Sequence, residues 1–378
     1  MTTEATMTSI AVDGPLENST STTGVHVDQD VPMDTVAPTG LTEEEATRYD
    51  RQMRLWGIEA QQRMRNATVL VVRLRGVATE AIKNIVLAGI GKLVIVDDDV
   101  VSEEDLGANF FFRDEDVGRK RLDAAKSRIE SLNPLVTVET IADGSISKAE
   151  DLESIIQNVD LVCVTDWDRD GLIRMNQLCR QHQKPFYAGG TYGLVGYIFC
   201  DLLSHDYLAP DRSAPKDQPR TVKTTATYTP LDTAIRHRWN SLTKRQTKEI
   251  NPALFFLILG ECYSIGSQLS FTRVNLFQSA NGALPNNFGN ADELENIMNQ
   301  YIAEADVNKQ ILTKAPRELI ETSSTTAAHE FSPVCAIVGG MLAQDILKAL
   351  GGREPPIANF FVFDGSTGGG TVCRMNMP

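Results

Sequence analysis

The sequence of 378 residues predicts an α/β fold with a doubly wound, mostly parallel sheet and a helical insertion. Between Ala67 and Tyr187, short apolar runs rich in β-branched residues alternate with amphipathic stretches, a pattern typical of parallel strands covered on both faces. The alternation stops near Asp211 and resumes with an apolar helix pattern at Ser332, followed by one more apolar run. One sheet whose chain is interrupted by an insertion accounts for both observations.

The apolar runs give the predicted strands, and the amphipathic or apolar stretches between them give the helices. The strands are expected at Ala67–Val72, Lys92–Val96, Val136–Ile141, Asp160–Val164, Lys184–Tyr187 and Asn359–Asp364. The helices are expected at Val77–Ala88, Arg119–Ser131, Gly171–His182, Pro252–Leu269, Asn290–Ala305 and Ser332–Leu350. Ser332 is the predicted N-cap of the last helix, with Pro333 in its first turn and Gly351 after its end.

Composition divides the chain into four segments. No Lys or Arg precedes Arg48, and residues 1–42 are rich in Thr, Ser, Asp, Pro and Gly, which predicts a disordered acidic tail. The first part of the sheet domain is expected at 43–210, a linker and helical insertion at 211–329, and a return to the sheet at 330–378.

Charge and hydropathy exclude several classes of partner. A formal net charge of −14 disfavours nucleic acid, whose binding requires clustered Lys and Arg. The sequence lacks both a signal peptide and a membrane-spanning run of about 18 apolar residues, so we expect no membrane association. The expected location is the nucleus and the cytoplasm. The basic residues Arg236 to Arg238, with Lys244 and Arg245, form either a nuclear import patch or a solvated linker face.

The cysteines and histidines give no sign of a metal site or a nucleophile. The six cysteines are Cys163, Cys179, Cys200, Cys262, Cys335 and Cys373. They form no Cys-x-x-Cys pair, which disfavours a zinc site or a disulfide framework. The five histidines are also not spaced like metal ligands. Cys262 is the one cysteine of the insertion, and it lies in an apolar helix pattern where a thiol is usually inert.

The turn after the first predicted strand reads Val71-Val-Arg-Leu-Arg-Gly-Val-Ala-Thr-Glu80. Nucleotide-binding folds place glycines here, because the backbone amides that open the following helix then contact phosphate. In the Gly-x-Gly-x-x-Gly register the signature positions are Arg73, Arg75 and Ala78, and only Gly76 remains between them. The turn predicts a disabled nucleotide loop. The alternative is that the two arginines bind phosphate through their charge.

Five further motifs resemble those of a known family. They are Arg48-Tyr-Asp-Arg-Gln-Met-Arg-Leu-Trp-Gly57, Asp97-Asp-Asp-Val100, Asp116-Val-Gly118, Leu132-Asn-Pro134 and Ser332-Pro-Val-Cys-Ala-Ile-Val-Gly-Gly340. In this order they resemble the Rossmann-like adenylation fold of the enzymes that activate ubiquitin-like proteins and of the bacterial adenylyltransferases of molybdopterin and thiamine synthesis. The resemblance covers residues 43–210 and 331–374. The opening motif, the last helix and the ending Asn-x-Phe-x-Phe-Asp-Gly look like those of the small subunits of SUMO-activating enzymes.

The resemblance implies that the nucleotide site of this chain is vestigial. The acid that holds the ribose in this family falls on Asp99, and a second acid, which contacts the magnesium-bound nucleotide, falls on Asp166. The Asn, Arg and Lys positions of the family fall on Asp105, Ala108 and Arg121. We therefore expect two surviving acids without cations, which repel ATP rather than bind it.

The resemblance also implies a heterodimer in which this chain is the non-catalytic subunit, inactive alone. A larger catalytic partner binds ATP and Mg²⁺, adenylates SUMO, holds it as a thioester on its own cysteine and passes it to a conjugating enzyme. No thioester-forming cysteine is expected in this chain. Arg51, from the Tyr-Asp-Arg-Gln motif, is expected to reach across the dimer to the phosphates of ATP in the partner's site.

Three alternatives remain at the sequence level. An autonomous adenylyltransferase of a ubiquitin-like or sulfur-carrier protein has the same fold, but it needs the loop glycines. An NAD-dependent oxidoreductase is suggested by the fold alone and needs the same glycines. The regulatory subunit of the neddylation-activating enzyme has a much longer helical insertion.

Overall fold

The structure is a computed structural model that describes residues 41–142, 149–211, 221–261 and 288–378. The predicted acidic tail lies outside the described residues, apart from Leu41 and Thr42. Thr42 caps the first helix, because its hydroxyl accepts a hydrogen bond from the backbone amide of Glu45, whose carboxylate accepts one in return from the Thr42 amide.

The described strands form one mixed eight-stranded sheet and a separate two-stranded hairpin. In chain order they are β1 (Thr68–Val72), β2 (Lys92–Val96), β3 (Thr137–Ile141), β4 (Leu161–Thr165), β5 (Phe186–Tyr192), β6 (Val195–Asp201), β7 (Ser204–Pro210), β8 (Thr221–Thr227), β9 (Phe360–Asp364) and β10 (Gly369–Cys373). The order across the sheet is β10-β9-β6-β5-β4-β1-β2-β3, while β7 pairs with β8. From β5 to β3 all neighbours are parallel, and from β5 to β10 all are antiparallel. The predicted doubly wound, mostly parallel sheet is confirmed.

The helices lie between these strands and in the segment before β9. In chain order they are α1 (Glu43–Arg48), α2 (Asp50–Trp56), α3 (Ile58–Asn66), α4 (Gly76–Ala88), α5 (Arg121–Glu130), α6 (Ala149–Gln157), α7 (Arg169–Gln181), α8 (Leu231–Ala234), α9 (Lys244–Ile250), α10 (Pro252–Glu261), α11 (Ala291–Glu304), α12 (Arg317–Thr326) and α13 (Ser332–Gly351). The predicted helix Pro252–Leu269 is found as far as Glu261, and its remainder lies outside the described residues.

Alternate residues along the central strands face two different hydrophobic cores. In β1, Val69 and Val71 pack with α4 and α13 on one face, whereas Leu70 and Val72 join the core on the other face. The second core includes Trp239 and Phe255 from the predicted insertion, which pack near Phe360 of β9. The described helices of the insertion therefore share the core of the sheet. The proposed boundaries of the insertion, at 211–329, remain a prediction.

Several details of the sequence-based prediction are wrong, and strands β6, β7 and β10 are absent from it. The N-cap of α13 is Phe331 rather than Ser332. The helix continues through Gly351, and its C-cap is Gly352, whose φ of 60° is left-handed. The segment read as a linker also contains β8, which pairs with β7 along its whole length. Polar, β-branched hairpins of this kind have one weakly apolar face and give little periodic signal.

Helices α4 and α13 pack closely because glycines line their contact. A Cβ atom at Gly339 would lie 2.6 Å from the Val77 carbonyl oxygen, and one at Gly76 would lie 2.8 Å from Cys335 Sγ. By length and composition α13 could cross a membrane, but half of its most apolar stretch is buried inside the protein. Core helices share these properties. The other half of this apolar helix faces outward.

Asp345 of α13 is a buried acid that fastens the helix to the sheet. Its carboxylate accepts hydrogen bonds from the Tyr187 hydroxyl (2.8 Å) and from the Ile357 amide (2.9 Å). Burial raises the pKa of Asp345 to about 6, although both hydrogen bonds favour the charged form. The folded protein therefore binds this proton more tightly than the unfolded chain does.

We predict that Asp345→Asn removes a pH dependence of stability. Because the pKa is raised on folding, wild type loses free energy of unfolding as pH rises from about 4 to about 6, by up to about 3 kcal/mol. The variant lacks this loss, so its stability relative to wild type should increase across the same interval and stay level above it. Urea unfolding measured at several pH values tests this. An unchanged difference between pH 4 and pH 7 contradicts it.

Candidate functional site

The residues singled out from the sequence meet where three parallel strands end. Arg73 follows β1, Asp99 lies just beyond β2, and Asp166 follows β4. Strand β1 lies between β4 and β2, so this is the point at which the strand order reverses. Open α/β sheets bind ligands in this crevice. The structure therefore brings these residues of the predicted vestigial site together in one crevice.

Arg73 and Asp166 both have left-handed backbone conformations, with φ values of 70° and 47°. A non-glycine residue in this region carries strain, and glycine is the residue that avoids it. Arg73 thus occupies a turn of the shape that a loop glycine makes. Its side chain turns toward Asp99, with 3.7 Å between a guanidinium nitrogen and the carboxylate. The loop keeps its bend but carries a large cation.

Arg121 binds the acids that follow β2. It is almost fully buried, donates three hydrogen bonds to Asp105 (2.9, 3.0 and 3.1 Å), and donates one to Asp99 (2.9 Å). A third carboxylate, that of Asp97, lies 3.6 Å from the same guanidinium. Asp97 also accepts a hydrogen bond from the Leu74 amide and so holds the loop. Asp105, at the family's Asn position, and Arg121, at its Lys position, therefore form one internal ion pair.

The small residues of the loop are used for packing. A Cβ atom at Gly76 would lie 3.2 Å from the Cβ of Ala108, in addition to the Cys335 contact. Ala108 and Ala78 are themselves buried in the core shared by α4 and α13. An arginine in place of Ala108 could not keep this position without moving its neighbours. Gly76 and Ala108 close the start of α4 against α13.

Glu330 belongs to the site, although no motif or spacing in the sequence points to it. One of its carboxylate oxygens lies 3.4 Å from Nε of Arg75, and both accept hydrogen bonds from the Gly76 amide, at 3.3 and 3.4 Å. Burial, reinforced by repulsion from Asp166, raises the pKa of Glu330 to about 7 against the attraction of Arg75. Only the tertiary packing of α13 reveals this residue.

Asp166 faces the same polar cleft, which has a volume of about 180 Å³ and includes Trp167, Thr191 and Arg75 in its lining. Its Oδ1 accepts a hydrogen bond from the Thr191 amide (3.2 Å), and its Oδ2 is buried without a hydrogen-bond partner in the described structure. Burial raises the pKa of Asp166, although Arg75 attracts the charged form. Burial lowers the pKa of Arg75, but attraction to Glu330 and Asp166 outweighs this effect and leaves it raised.

The cations and acids of the site are therefore paired with each other. The expectation that Asp99 and Asp166 lack cationic neighbours is wrong, because Arg121 and Arg73 bind Asp99 and the charge of Arg75 lies near Asp166. The alternative that Arg73 and Arg75 serve phosphate is also disfavoured, since each faces a carboxylate of this chain. Across this cluster, three arginines meet five carboxylates, so a triphosphate would find no excess positive charge.

The remaining candidate chemistry is absent from the residues that the structure describes. Five cysteines are buried there: Cys163, Cys179, Cys200, Cys335 and Cys373. Burial raises the pKa of Cys163 to about 12, far from the thiolate form that a nucleophile needs. Cys262 lies outside the described residues. Within the described ranges, no group of three or more His, Cys, Asp and Glu side chains is arranged to hold a metal ion.

Arg51 lies apart from this cluster, on α2, with an exposed side chain. No residue of α2 is buried, and the apolar Leu55, one turn after Arg51, is 79% exposed. The helix is held through its N-cap, Tyr49, which is buried against Gly89 and whose hydroxyl accepts a hydrogen bond from Asn133 (2.8 Å). The conspicuous Tyr and Asn of two sequence motifs thus fix the base from which Arg51 projects.

Comparison with known proteins agrees with this arrangement. The ThiF family model matches residues 49–378. SUMO-activating enzyme subunit 1 of Bos taurus is 35% identical over 355 residues, covering 88% of this chain and 96% of the relative. The Homo sapiens protein of the same name is 33% identical with the same coverage. DNA damage tolerance protein RHC31 of Saccharomyces cerevisiae is 33% identical over 337 residues, or 86% of this chain and 96% of that protein.

A solved structure supports the fold. The crystal structure of E. coli MccB with succinimide matches with a TM-score of 0.50 and 15% identity, covering 87% of this chain and 71% of that chain. At this identity the likeness concerns the fold alone.

We predict that Arg121→Leu strongly destabilises the protein. The substitution leaves Asp105 buried and two more carboxylates without their main cation, a change that typically costs about 3–5 kcal/mol. Arg245→Ala is the control, because that exposed arginine pairs with Glu249 one turn away on α9, a kind of pair that contributes little to stability. Urea unfolding followed by tryptophan fluorescence measures both. Equal small losses in the two variants contradict the role given to Arg121.

Proposed function

This chain belongs to the ThiF family, and we propose that it is the non-catalytic subunit of a heterodimeric SUMO-activating enzyme. A larger partner subunit carries the chemistry: it binds ATP and Mg²⁺, adenylates the C-terminal glycine of SUMO, and transfers SUMO to its own cysteine. The conjugating enzyme then receives SUMO from the partner. This chain completes the partner's nucleotide site and scaffolds the complex in the nucleus.

The observation that carries this proposal is the internal neutralisation of the nucleotide site. Catalysis of adenylation requires cations and amides directed at the triphosphate, because charge develops there in the transition state. Here Arg121 is bound by Asp105 and Asp99, and Arg75 by Glu330. These residues do not fit ATP. The same closure counts against an autonomous adenylyltransferase and an NAD-dependent oxidoreductase, both of which need an open loop.

The outward side of α4 and α13 supports docking of a partner subunit. Ile337 of α13 and Phe110 are each 44% exposed, and Leu87 of α4 is 46% exposed. Phe110 is connected to the contact between the two helices, since Gly339 packs on Glu80, which pairs with Lys83, whose ammonium lies 4.9 Å from the centre of the Phe110 ring. A protein surface with an apolar face along two packed helices is typical of a stable subunit interface. We call this surface the α4–α13 face.

Helix α2 supports the second part of the proposal. Seven residues without any buried side chain gain little from packing, so such a helix is marginal in water. The exposed Leu55 beside Arg51 indicates that a partner covers this side. Within the described residues the Arg51 side chain makes no ion pair, whereas Arg54 on the same helix binds Asp50 (3.0 Å). Arg51 therefore offers an uncommitted guanidinium to phosphate held by the partner.

We predict that Arg51→Ala impairs SUMO adenylation by the heterodimer. Loss of one cation that stabilises transferring phosphates typically lowers the rate about 100-fold, and it should raise KM for ATP. The measurement is SUMO-dependent exchange between ATP and pyrophosphate. Arg48→Ala is the matched control, because Arg48 is an exposed arginine on α1 that pairs with Glu44. If both variants exchange at the wild-type rate, the cross-subunit role of Arg51 is wrong.

We predict that Ile337→Asp weakens assembly with the larger subunit. Burying a carboxylate in an apolar interface should cost at least tenfold in affinity, about 1.4 kcal/mol. Val372→Asp is the control, since Val372 is equally exposed, at 49%, but lies on the edge strand β10. Affinity measured with the immobilised partner distinguishes the variants. A heterodimer that forms equally well with Ile337→Asp excludes the α4–α13 face.

A further inference from the structure

The start of α4 has no local cap. Its N-cap residue is Arg75, which makes no capping hydrogen bond with its side chain. The first amides of a helix carry partial positive charge and need acceptors. One of them, the Gly76 amide, obtains its acceptor from Glu330, 254 residues away in the sequence. A distant carboxylate thus does what a neighbouring Ser, Thr or Asp usually does.

The position of this carboxylate is the one at which nucleotide-binding folds hold phosphate. Such folds present the opening amide of the helix after β1, together with a cation, to an anionic oxygen. In this chain the amide of Gly76 and the guanidinium of Arg75 both face the oxygens of Glu330. Carboxylate and phosphate oxygens accept the same charge-assisted hydrogen bonds. The chain thus supplies an anionic oxygen of its own.

The surrounding structure holds Glu330 in place. Its backbone pairs with Gly193 in an isolated bridge beside β5. The next residue, Phe331, is the N-cap of α13, whose Cys335 lies against Gly76. The Glu330 side chain is only 9% exposed. The contact between α4 and α13 therefore delivers the carboxylate to the helix start and shields it from water.

We infer that the anion-binding site at the start of α4 persists in this chain and that Glu330 is its built-in ligand, which excludes phosphate. Two features remove nucleotide binding. One is the loop with few glycines. The other is Glu330, which occupies the Gly76 amide and pairs with Arg75. When the Glu330 carboxylate is removed, the site binds a small polyphosphate anion. This inference does not depend on the role of the partner subunit.

The test is pyrophosphate binding to the full chain, measured by calorimetry with wild type and Glu330→Ala. The substitution frees the Gly76 amide and Arg75 and opens space beside the polar cleft. We expect one pyrophosphate per Glu330→Ala chain, bound at least tenfold more tightly than by wild type. Glu318→Ala, which removes an exposed glutamate on α12, should behave as wild type. Circular dichroism checks that each variant is folded.

Two further variants make the result decisive. Glu330→Gln keeps the volume but removes the charge, and it should bind pyrophosphate more weakly than Glu330→Ala but more tightly than wild type. Arg75→Ala combined with Glu330→Ala should lose the gained binding. The inference is overturned if the folded Glu330 variants bind no better than wild type. It is equally overturned if wild type already binds one pyrophosphate as tightly as Glu330→Ala, or if the gained binding survives loss of Arg75.

Discussion

The close packing of α13 on α4 is the contact on which the rest of this molecule depends. Glycines at positions 76 and 339 let the two helices approach until backbone and side chain touch. On the inner side, this contact carries Glu330 to the start of α4 and closes the nucleotide site. On the outer side, apolar residues of both helices, Leu87 and Ile337, are exposed. The same packing contact thus underlies the closed crevice and the face proposed for docking of a partner.

The charges of the closed site explain how several departures from the family pattern coexist. An acid at position 105 alone would add repulsion next to Asp97 and Asp99, and an arginine at position 121 alone would keep only Asp97 and Asp99 as partners. Together they make a bidentate ion pair inside the fold, in which Nε and Nη2 of Arg121 donate to the two carboxylate oxygens of Asp105. Buried pairs of this kind contribute little net stability, but removal of one member is costly. With both residues present, substitution of either one alone leaves the other without its main counter-charge. The pair therefore keeps the site closed.

The sheet could be predicted because buried parallel strands are short, continuous and apolar. Strands β1, β2 and β4 met this condition, and the acids at their ends marked the crevice. Strand β8 is half polar and pairs only with β7, so its apolar pattern was too weak to separate it from a loop. Glu330 could not be found for a different reason: its partners Arg75 and Gly76 lie 254 or more residues away, and no local spacing encodes such a contact. The pairing of Asp105 with Arg121 left a visible signal in the sequence. The family's Asn position carries an acid, Asp105, while its Lys position still carries a cation, Arg121.

The pairing of the crevice arginines with carboxylates and the exposure of Arg51 have the same electrostatic consequence for phosphate binding. A subunit that kept its own cations free would compete with its partner for the same nucleotide, since free guanidinium groups attract phosphate wherever they lie. Here the arginines of the crevice face carboxylates of this chain, whereas Arg51 stands on an exposed helix whose base is fixed by Tyr49 and Asn133. We propose that Arg51 reaches phosphate in the partner's site from this exposed position, so that the heterodimer holds one nucleotide, bound by the partner and completed from this chain.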